Sequence, residues 1–376
     1  MAKKKDKVDY QSLPDFPLWE KIKGQRIPLS FELEITARCN LNCRHCYINL
    51  APHDQQAKQQ ELSLQEIERL AEEATSLGSL WCLITGGEPL LRPDFPEIYL
   101  ILKKKGLLVS VFTNATLINE EHIKLFKAYP PRDIEITVYG VTPETFARVT
   151  RNHRAYRHFR RGLDLLLDNG IPVRLKAMAL RSNRDELEAI RDFCQPLTKD
   201  YFRFDPLLHL RYDHNEKRNQ EIKAERLGPQ EIAELEKGDP ERLQQLRENC
   251  HHLILNGPLE SEKPFLFKCG AGLNSFSLSY HGLFRLCSSL WNPDCVYDWR
   301  QGSLADAWHN FVPHVRRMES SAEEFLANCH RCPLINLCLW CPAHADLELG
   351  KLDQPVEYFC QVAQARAQVL KDGFFT

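Results

Sequence analysis

Between residues 30 and 206, short runs of alternating apolar and polar positions are separated by stretches with helical periodicity. Phe31, Leu33 and Ile35 occupy every second position of the first run, the period of a half-buried strand. Strands are predicted at 31–36, 80–85, 107–113, 133–138, 171–178 and 201–205. Ser63-Leu64-Gln65-Glu66 has the spacing of a capping box and opens a helix to about Leu77, with Ile67, Leu70 and Ala74 on one face and Gly78 to end it. Further helices are predicted at 95–105 (closed by Gly106), 119–128, 143–150, 156–169 and 184–194. Six strands alternating with helices predict an α/β fold: a parallel sheet with right-handed crossovers, doubly wound or closed part-way into a barrel. In such an array the carboxyl ends of the strands share one rim, where active sites assemble. The unusual residues fall there: Cys39 after the first strand, Gly86-Gly87-Glu88-Pro89 after the second, Asn114 after the third and Tyr139-Gly140 after the fourth.

The flanking segments read differently. Residues 1–29 lack periodicity, are broken by Pro14, Pro17 and Pro28, and are expected to wrap the first domain. Residues 207–268 turn strongly charged (Arg211, Asp213, Glu216, Lys217, Arg218). Ile222, Leu227, Ile232, Leu235, Leu243 and Leu246 still give them enough apolar periodicity for a packed helical connection. The chain thus divides into an extension (1–29), a core (30–206), a connecting segment (207–268) and a cysteine-rich domain (269–376). A net charge of −2 over 376 residues offers no general affinity for nucleic acid. Lys3, Lys4, Lys5 and Lys7 start the chain with no apolar stretch behind them, so no secretory signal is expected, and no apolar run reaches the length of a membrane span. Fourteen cysteines without a secretory signal favour metal ligation over disulfides and a reduced, cytoplasmic setting.

Three thiols lie within eight residues in Cys39-Asn-Leu-Asn-Cys43-Arg-His-Cys46. A structural zinc site wants four ligands, so a zinc knuckle needs His45 or a distant residue to complete it. An iron–sulfur cube on three cysteines keeps one iron open, which is a catalytic arrangement. In Thr85-Gly86-Gly87-Glu88-Pro89, two glycines let the backbone approach a ligand closely and Glu88 can accept from an ammonium group, although a tight turn also explains them. Further on, Cys269, Cys287, Cys329, Cys332, Cys338, Cys341 and Cys360 form a second pattern. These seven thiols are one short of two all-cysteine cubes and too many for one zinc; two zinc sites remain the alternative. Cys82 and Cys194 sit within strand and helix patterns and read as core thiols. The aromatic residues Phe276, Phe284, Trp291, Trp299, Trp308 and Trp340 read as the core of the second domain.

The C-x3-C-x2-C spacing followed one βα unit later by GGEP resembles the radical S-adenosylmethionine (SAM) superfamily. The cysteine order C-x12-G-x4-C, gap, C-x2-C-x5-C-x2-C, gap, C resembles the SPASM extension of radical SAM peptide maturases, departing from it at the last C-x2-C. The resemblance implies a partial (β/α)6 radical SAM barrel followed by a small SPASM-type domain binding auxiliary iron–sulfur clusters. It assigns Cys39, Cys43 and Cys46 to a [4Fe-4S] cluster whose open iron binds SAM and reduces it to a 5′-deoxyadenosyl radical. Gly86, Gly87 and Glu88 would receive the SAM amino group and His45 would lie near adenine. Asn114 and Thr137 would meet the ribose, and Arg148 the SAM carboxylate. Cys269, Cys287 and Cys341 would hold an inner auxiliary cluster, with Cys295, Cys250 or Asp294 as candidates for its fourth ligand or with an open site. Cys329, Cys332, Cys338 and Cys360 would hold an outer one.

The resemblance also implies an enzyme that modifies a ribosomally made precursor peptide or protein by hydrogen abstraction, giving a crosslink, an epimerisation or an oxidation. Its partners would be that peptide and a flavodoxin- or ferredoxin-type electron donor; since fewer than thirty residues precede the first strand, the leader would be recognised by a separate protein or by the 207–268 segment. Haem or cofactor biosynthesis on a small molecule is the rival enzyme reading. A non-catalytic metal-stabilised binding or electron-transfer protein is the rival from another class.

Overall fold

The computed structural model describes residues 18–372 except 23, 199–201, 240–241, 243, 245–253 and 256–262. All six expected strands form, as β1 (Ser30–Thr36), β2 (Trp81–Gly86), β3 (Leu108–Thr113), β4 (Asp133–Thr137), β5 (Val173–Met178) and β6 (Arg203–Asp205). Each pairs in parallel with its sequence neighbour. Helices Leu64–Ser76, Phe95–Lys104, Glu120–Ala128, Pro143–Thr150, Ala155–Asp168 and Leu187–Cys194 occupy the crossovers, the last after a 3-10 turn, Arg181–Glu186. The capping box is present as read: Glu66 N–H donates to Ser63 Oγ (3.2 Å) and Ser63 N–H to Glu66 Oε2 (2.8 Å). Phe31, Leu33 and Ile35 are fully buried, as are Val109 and Val111 of β3 and Ile134 and Ile136 of β4. Burial of each such side chain contributes about 1.5–3 kcal/mol. Cys82 and Cys194 are buried in this core, as their patterns indicated.

The sheet does not stop at six strands. The C-terminal part supplies β7 (Ser275–Leu278), which pairs in parallel with β1, and β8 (Leu283–Arg285) and β9 (Tyr297–Asp298), which follow antiparallel. Among the described residues the result is one nine-stranded sheet in the order β6-β5-β4-β3-β2-β1-β7-β8-β9. The cysteine-rich segment therefore extends the core's own sheet. Phe31 and Phe276 stack across the new seam at 5.2 Å, and Arg285 pairs with Glu34 at 2.9 Å with both side chains fully buried. Phe276, Phe284, Trp299 and Trp308 are buried core, whereas Trp291 and Trp340 are half-buried. The connecting segment is helical at Glu216–Glu225 and Pro229–Lys237, with Ile222, Leu227 and Ile232 buried. Leu243, Leu246 and Cys250 lie outside the described residues. Among the described residues no helix is long and apolar enough to cross a membrane.

Candidate active site

The loop that leaves β1 turns back on itself: Cys39 N–H donates to Leu50 O (3.0 Å) and Leu50 N–H to Ala37 O (2.8 Å). Its far side is held by helix Pro143–Thr150, whose Val149 and Thr150 carbonyls accept from Arg44 N–H (3.0 Å) and Asn42 N–H (3.2 Å). Cys39, Cys43 and Cys46 line one cavity of ≈ 390 Å³ together with His45, Thr85, Gly86, Gly87, Asn114 and Thr137. The strand ends named from the sequence do share this rim.

Burial pushes the Cys39 thiol well up, and Glu88, Cys43 and Cys46 add to it, so the three sulfurs lie within electrostatic range of one another. Burial also raises Cys43, whose thiol hydrogen-bonds the Tyr139 side chain. The backbone N–H groups of Leu41 and Asn49 point at the sulfurs of Cys39 and Cys46, each at 3.4 Å. Thiolates in so dry a place need a cation among them, and N–H donors aimed at sulfur suit metal-bound thiolate. Three sulfurs spaced around a cavity wall fit a polynuclear cluster. Among the described residues no three His, Cys, Asp or Glu side chains converge on a point that holds a single ion. His45 lies against Tyr139, with ring centroids 5.3 Å apart, and burial lowers its pKa to about 4, so it is a neutral wall of the cavity.

The glycines of the GGEP turn make room for protein backbone. A Cβ on Gly86 would sit 2.1 Å from Thr36 O, and one on Gly87 2.3 Å from Arg38 O. The turn is sewn to the cysteine loop by Gly87 N–H to Thr36 O (2.7 Å) and Glu88 N–H to Arg38 O (2.9 Å). Glu88 itself is fully buried and does not line the cavity, because Thr113 Oγ1 (2.7 Å), Asn114 N–H (2.8 Å) and Leu90 N–H (3.1 Å) all donate to its carboxylate. Three of its acceptor sites are taken up by the second and third strand ends. Arg148, likewise, does not line the cavity. It sits exposed on helix Pro143–Thr150 with Nη2 donating to Thr145 Oγ1 (2.8 Å). Asn114 reaches Asn40 Oδ1 (2.9 Å), tying the third strand end to the cysteine loop.

The deeper wall was not singled out from the sequence. Glu32, Glu135, Lys176, Asp205, His209 and Ser288 line it, with Lys176 paired to Glu135 and lying 4.0 Å from the Phe112 ring. Their signal was available: Glu32, Glu135 and Lys176 are charged residues among the polar alternates of their strands. Glu32 also lines a second cavity of ≈ 260 Å³ that reaches Cys287. His209 bridges outward: its Nδ1 meets Ser289 Oγ (2.7 Å), and its ring lies 4.6 Å from His344 and 5.5 Å from Tyr47.

The second set of cysteines also gathers. Burial pushes Cys329 up to about 12, with contributions from Cys360, Cys338 and Cys332, so those three lie within electrostatic range of it. Cys341, raised to about 12 by burial, feels Cys287 and Cys269. Cys295 is fully buried with its thiol 3.7 Å from the Met318 sulfur, the setting of a core thiol.

Comparisons with known proteins agree with this geometry. Residues 33–194 match the model of the Radical SAM superfamily. The chain is 26% identical over 334 residues to the antilisterial bacteriocin subtilosin biosynthesis protein AlbA of Bacillus subtilis, covering 84% of this chain and 67% of that one. It is 33% identical over 165 residues to the Fe-coproporphyrin III synthase of Methanosarcina barkeri, a match covering 43% of this chain and 39% of that protein. In fold it is similar to Streptococcus suis SuiB bound to precursor peptide SuiA, with a TM-score of 0.66, 14% identity and coverage of 90% of this chain and 76% of that one.

Proposed function

Because residues 33–194 make this chain a member of the Radical SAM superfamily, we propose that it modifies a ribosomally made peptide by hydrogen abstraction. The observation that carries the reading is the shared cavity, in which three thiols face the strand-end residues Gly86, Gly87, Asn114 and Thr137. When bound, SAM and an iron–sulfur cluster supply a 5′-deoxyadenosyl radical, and the hard chemistry is theirs. Cys39, Cys43 and Cys46 would hold that cluster. The backbone of Gly86 and Gly87, the neutral His45 ring, and Asn114 and Thr137 would hold SAM beside it. Glu88 acts from beneath, fixing the Gly-Gly turn and the Asn114 backbone in one piece. The deeper wall, with Glu32, the Glu135–Lys176 pair, Asp205 and His209, would receive the substrate and exclude water.

Cys329, Cys332, Cys338 and Cys360 would hold an outer auxiliary cluster, and Cys269, Cys287 and Cys341 three corners of an inner one. A peptide substrate is favoured over a small molecule by the extent of similarity. The match to a bacteriocin biosynthesis protein runs through 84% of this chain, and that to a porphyrin-acting synthase through 43%. A reducing cytoplasm and a flavodoxin- or ferredoxin-type donor complete the proposal.

The test is anaerobic. Reconstituted with iron and sulfide and given SAM and dithionite, the wild-type chain is expected to release 5′-deoxyadenosine, and the Cys39→Ala/Cys43→Ala/Cys46→Ala variant to release none. Co-expression with short open reading frames adjoining its gene is expected to change the mass of one peptide. Absence of 5′-deoxyadenosine from the iron-loaded wild type would sink the enzymatic reading; a mass change confined to a small metabolite would overturn the peptide substrate.

A further inference from the structure

The charged connecting segment reaches into the cysteine loop. Arg211, almost fully buried, donates from Nη1 to Asn49 O (3.2 Å) and Asn49 Oδ1 (3.3 Å), and pairs with Asp213 at 2.6 Å. Arg218, in the first turn of helix Glu216–Glu225, donates from Nη2 to the Cys43 carbonyl (2.8 Å) and to Asn49 Oδ1 (3.4 Å). Asn49 in turn grips the loop: its N–H donates to Cys46 Sγ (3.4 Å) and its Nδ2 to Leu41 O (3.3 Å). Two guanidinium groups from a segment some 170 residues away thus fasten the loop at Cys43 and Asn49.

The charge balance there is lopsided. Arg218 and Arg151 both pair with one carboxylate, Glu221. One positive charge is left over in this trio, whose Arg218 member is mostly buried at the Cys43 carbonyl while Glu221 and Arg151 stay partly exposed. A fixed cation next to a redox centre stabilises the state that carries one more electron. The planar guanidinium fork also fixes the carbonyl in a way a lysine cannot fully copy.

We propose that Arg218 is a positioning residue for the Cys39/Cys43/Cys46 site, locking the Cys43 backbone and raising the electron affinity of the iron–sulfur cluster those thiols hold. This rests on the function proposed above. Arg218 touches neither SAM nor substrate in the role given to it, and acts through the loop. The connecting segment is then part of the electron-accepting site, and whatever binds that segment gains a route to the cluster.

The experiment is a redox titration followed by electron paramagnetic resonance on the full, anaerobically reconstituted chain. The signal to follow is the one whose line shape changes when SAM is added. Arg218→Gln is expected to lower the reduced-to-oxidised ratio at a fixed potential about tenfold, a shift of about 59 mV for one electron. Arg218→Lys, which keeps the charge, is expected to restore the ratio to within about threefold of wild type. Glu221→Gln, which removes the shared counter-charge, is expected to shift it the opposite way. An unmoved potential in Arg218→Gln at wild-type iron content overturns the inference, as does an equal shift in Arg218→Lys. Should Arg218→Gln fail to load iron, Glu221→Gln decides: an upward shift supports the proposal and none overturns it. A wild-type chain with no SAM-responsive signal overturns the parent reading, a result distinct from the others.

Discussion

Glu88 shows what one buried carboxylate does when every neighbour is a donor. Thr113, Asn114 and Leu90 hold it to the ends of two strands, and burial still outweighs them, pushing its pKa up to about 7. A carboxyl whose folded pKa is raised stabilises the fold fully below its unfolded pKa of about 4.3, and that contribution is lost as pH rises through about 7. Urea unfolding of the iron-free chain is therefore expected to show the wild type losing about 3 kcal/mol relative to Glu88→Gln between pH 4 and pH 8. A constant difference across that range would show that burial does not govern this group. Gly87 poses a steric question at the same scale. Its missing Cβ would lie 2.3 Å from Arg38 O and 2.6 Å from Ala37 O, so Gly87→Ala must displace the cysteine loop. Loss of the cluster proposed at Cys39, Cys43 and Cys46 is expected, with stability lower by about 1–3 kcal/mol from overpacking. Wild-type iron content and 5′-deoxyadenosine release in this variant would contradict that account.

At the scale of elements, helix Pro229–Lys237 is pinned to the C-terminal helix Glu357–Asp372 by Arg366, which donates to both Glu236 oxygens at 2.7 and 2.8 Å while also holding Leu337 O at 2.8 Å. Both side chains are buried, so removing one partner leaves the other charge stranded, at a cost of about 3–5 kcal/mol. Glu236→Ala is expected to lose that much in denaturant titration, and to weaken iron loading of the outer cluster proposed at Cys329, Cys332, Cys338 and Cys360, because Arg366 and Cys360 share a helix. These elements also mark how far the sequence could be read. Period-two alternation located β1 to β6 within a residue or two, because a parallel strand announces itself locally. Cys39, Cys43, Cys46 and the GGEP turn were legible because their spacing is chemical. Arg211 and Arg218 were not, since a run of charges looks the same whether it faces water or clamps a loop. Arg148 and Glu88 were placed by analogy, and in the fold they hydrogen-bond to Thr145 and to the strand ends, contacts that no sequence spacing announces. The β7–β1 pairing had no local signature, because its partners are 245 positions apart (275 − 30).

For the whole molecule, that pairing makes the core and the cysteine-rich segment interdependent. Without residues 269–376, β1 becomes an open edge, Phe31 loses its stacking partner and Glu34 keeps a buried charge with no Arg285 beside it. Unpaired strand edges template aggregation. A chain ending at residue 268 is therefore expected to elute as aggregate or to stay unfolded by circular dichroism, and a monodisperse, folded fragment would argue against a shared sheet. Time adds a consequence of its own. The strand that carries the first cysteine loop is made early, but its second neighbour emerges about 245 residues later, which at about 5–20 residues per second is a delay of roughly 12–50 seconds on the ribosome. Throughout that interval the thiols of Cys39, Cys43 and Cys46 are borne on a half-built sheet. Loading of the cluster proposed there is therefore expected to follow translation of the last third of the protein.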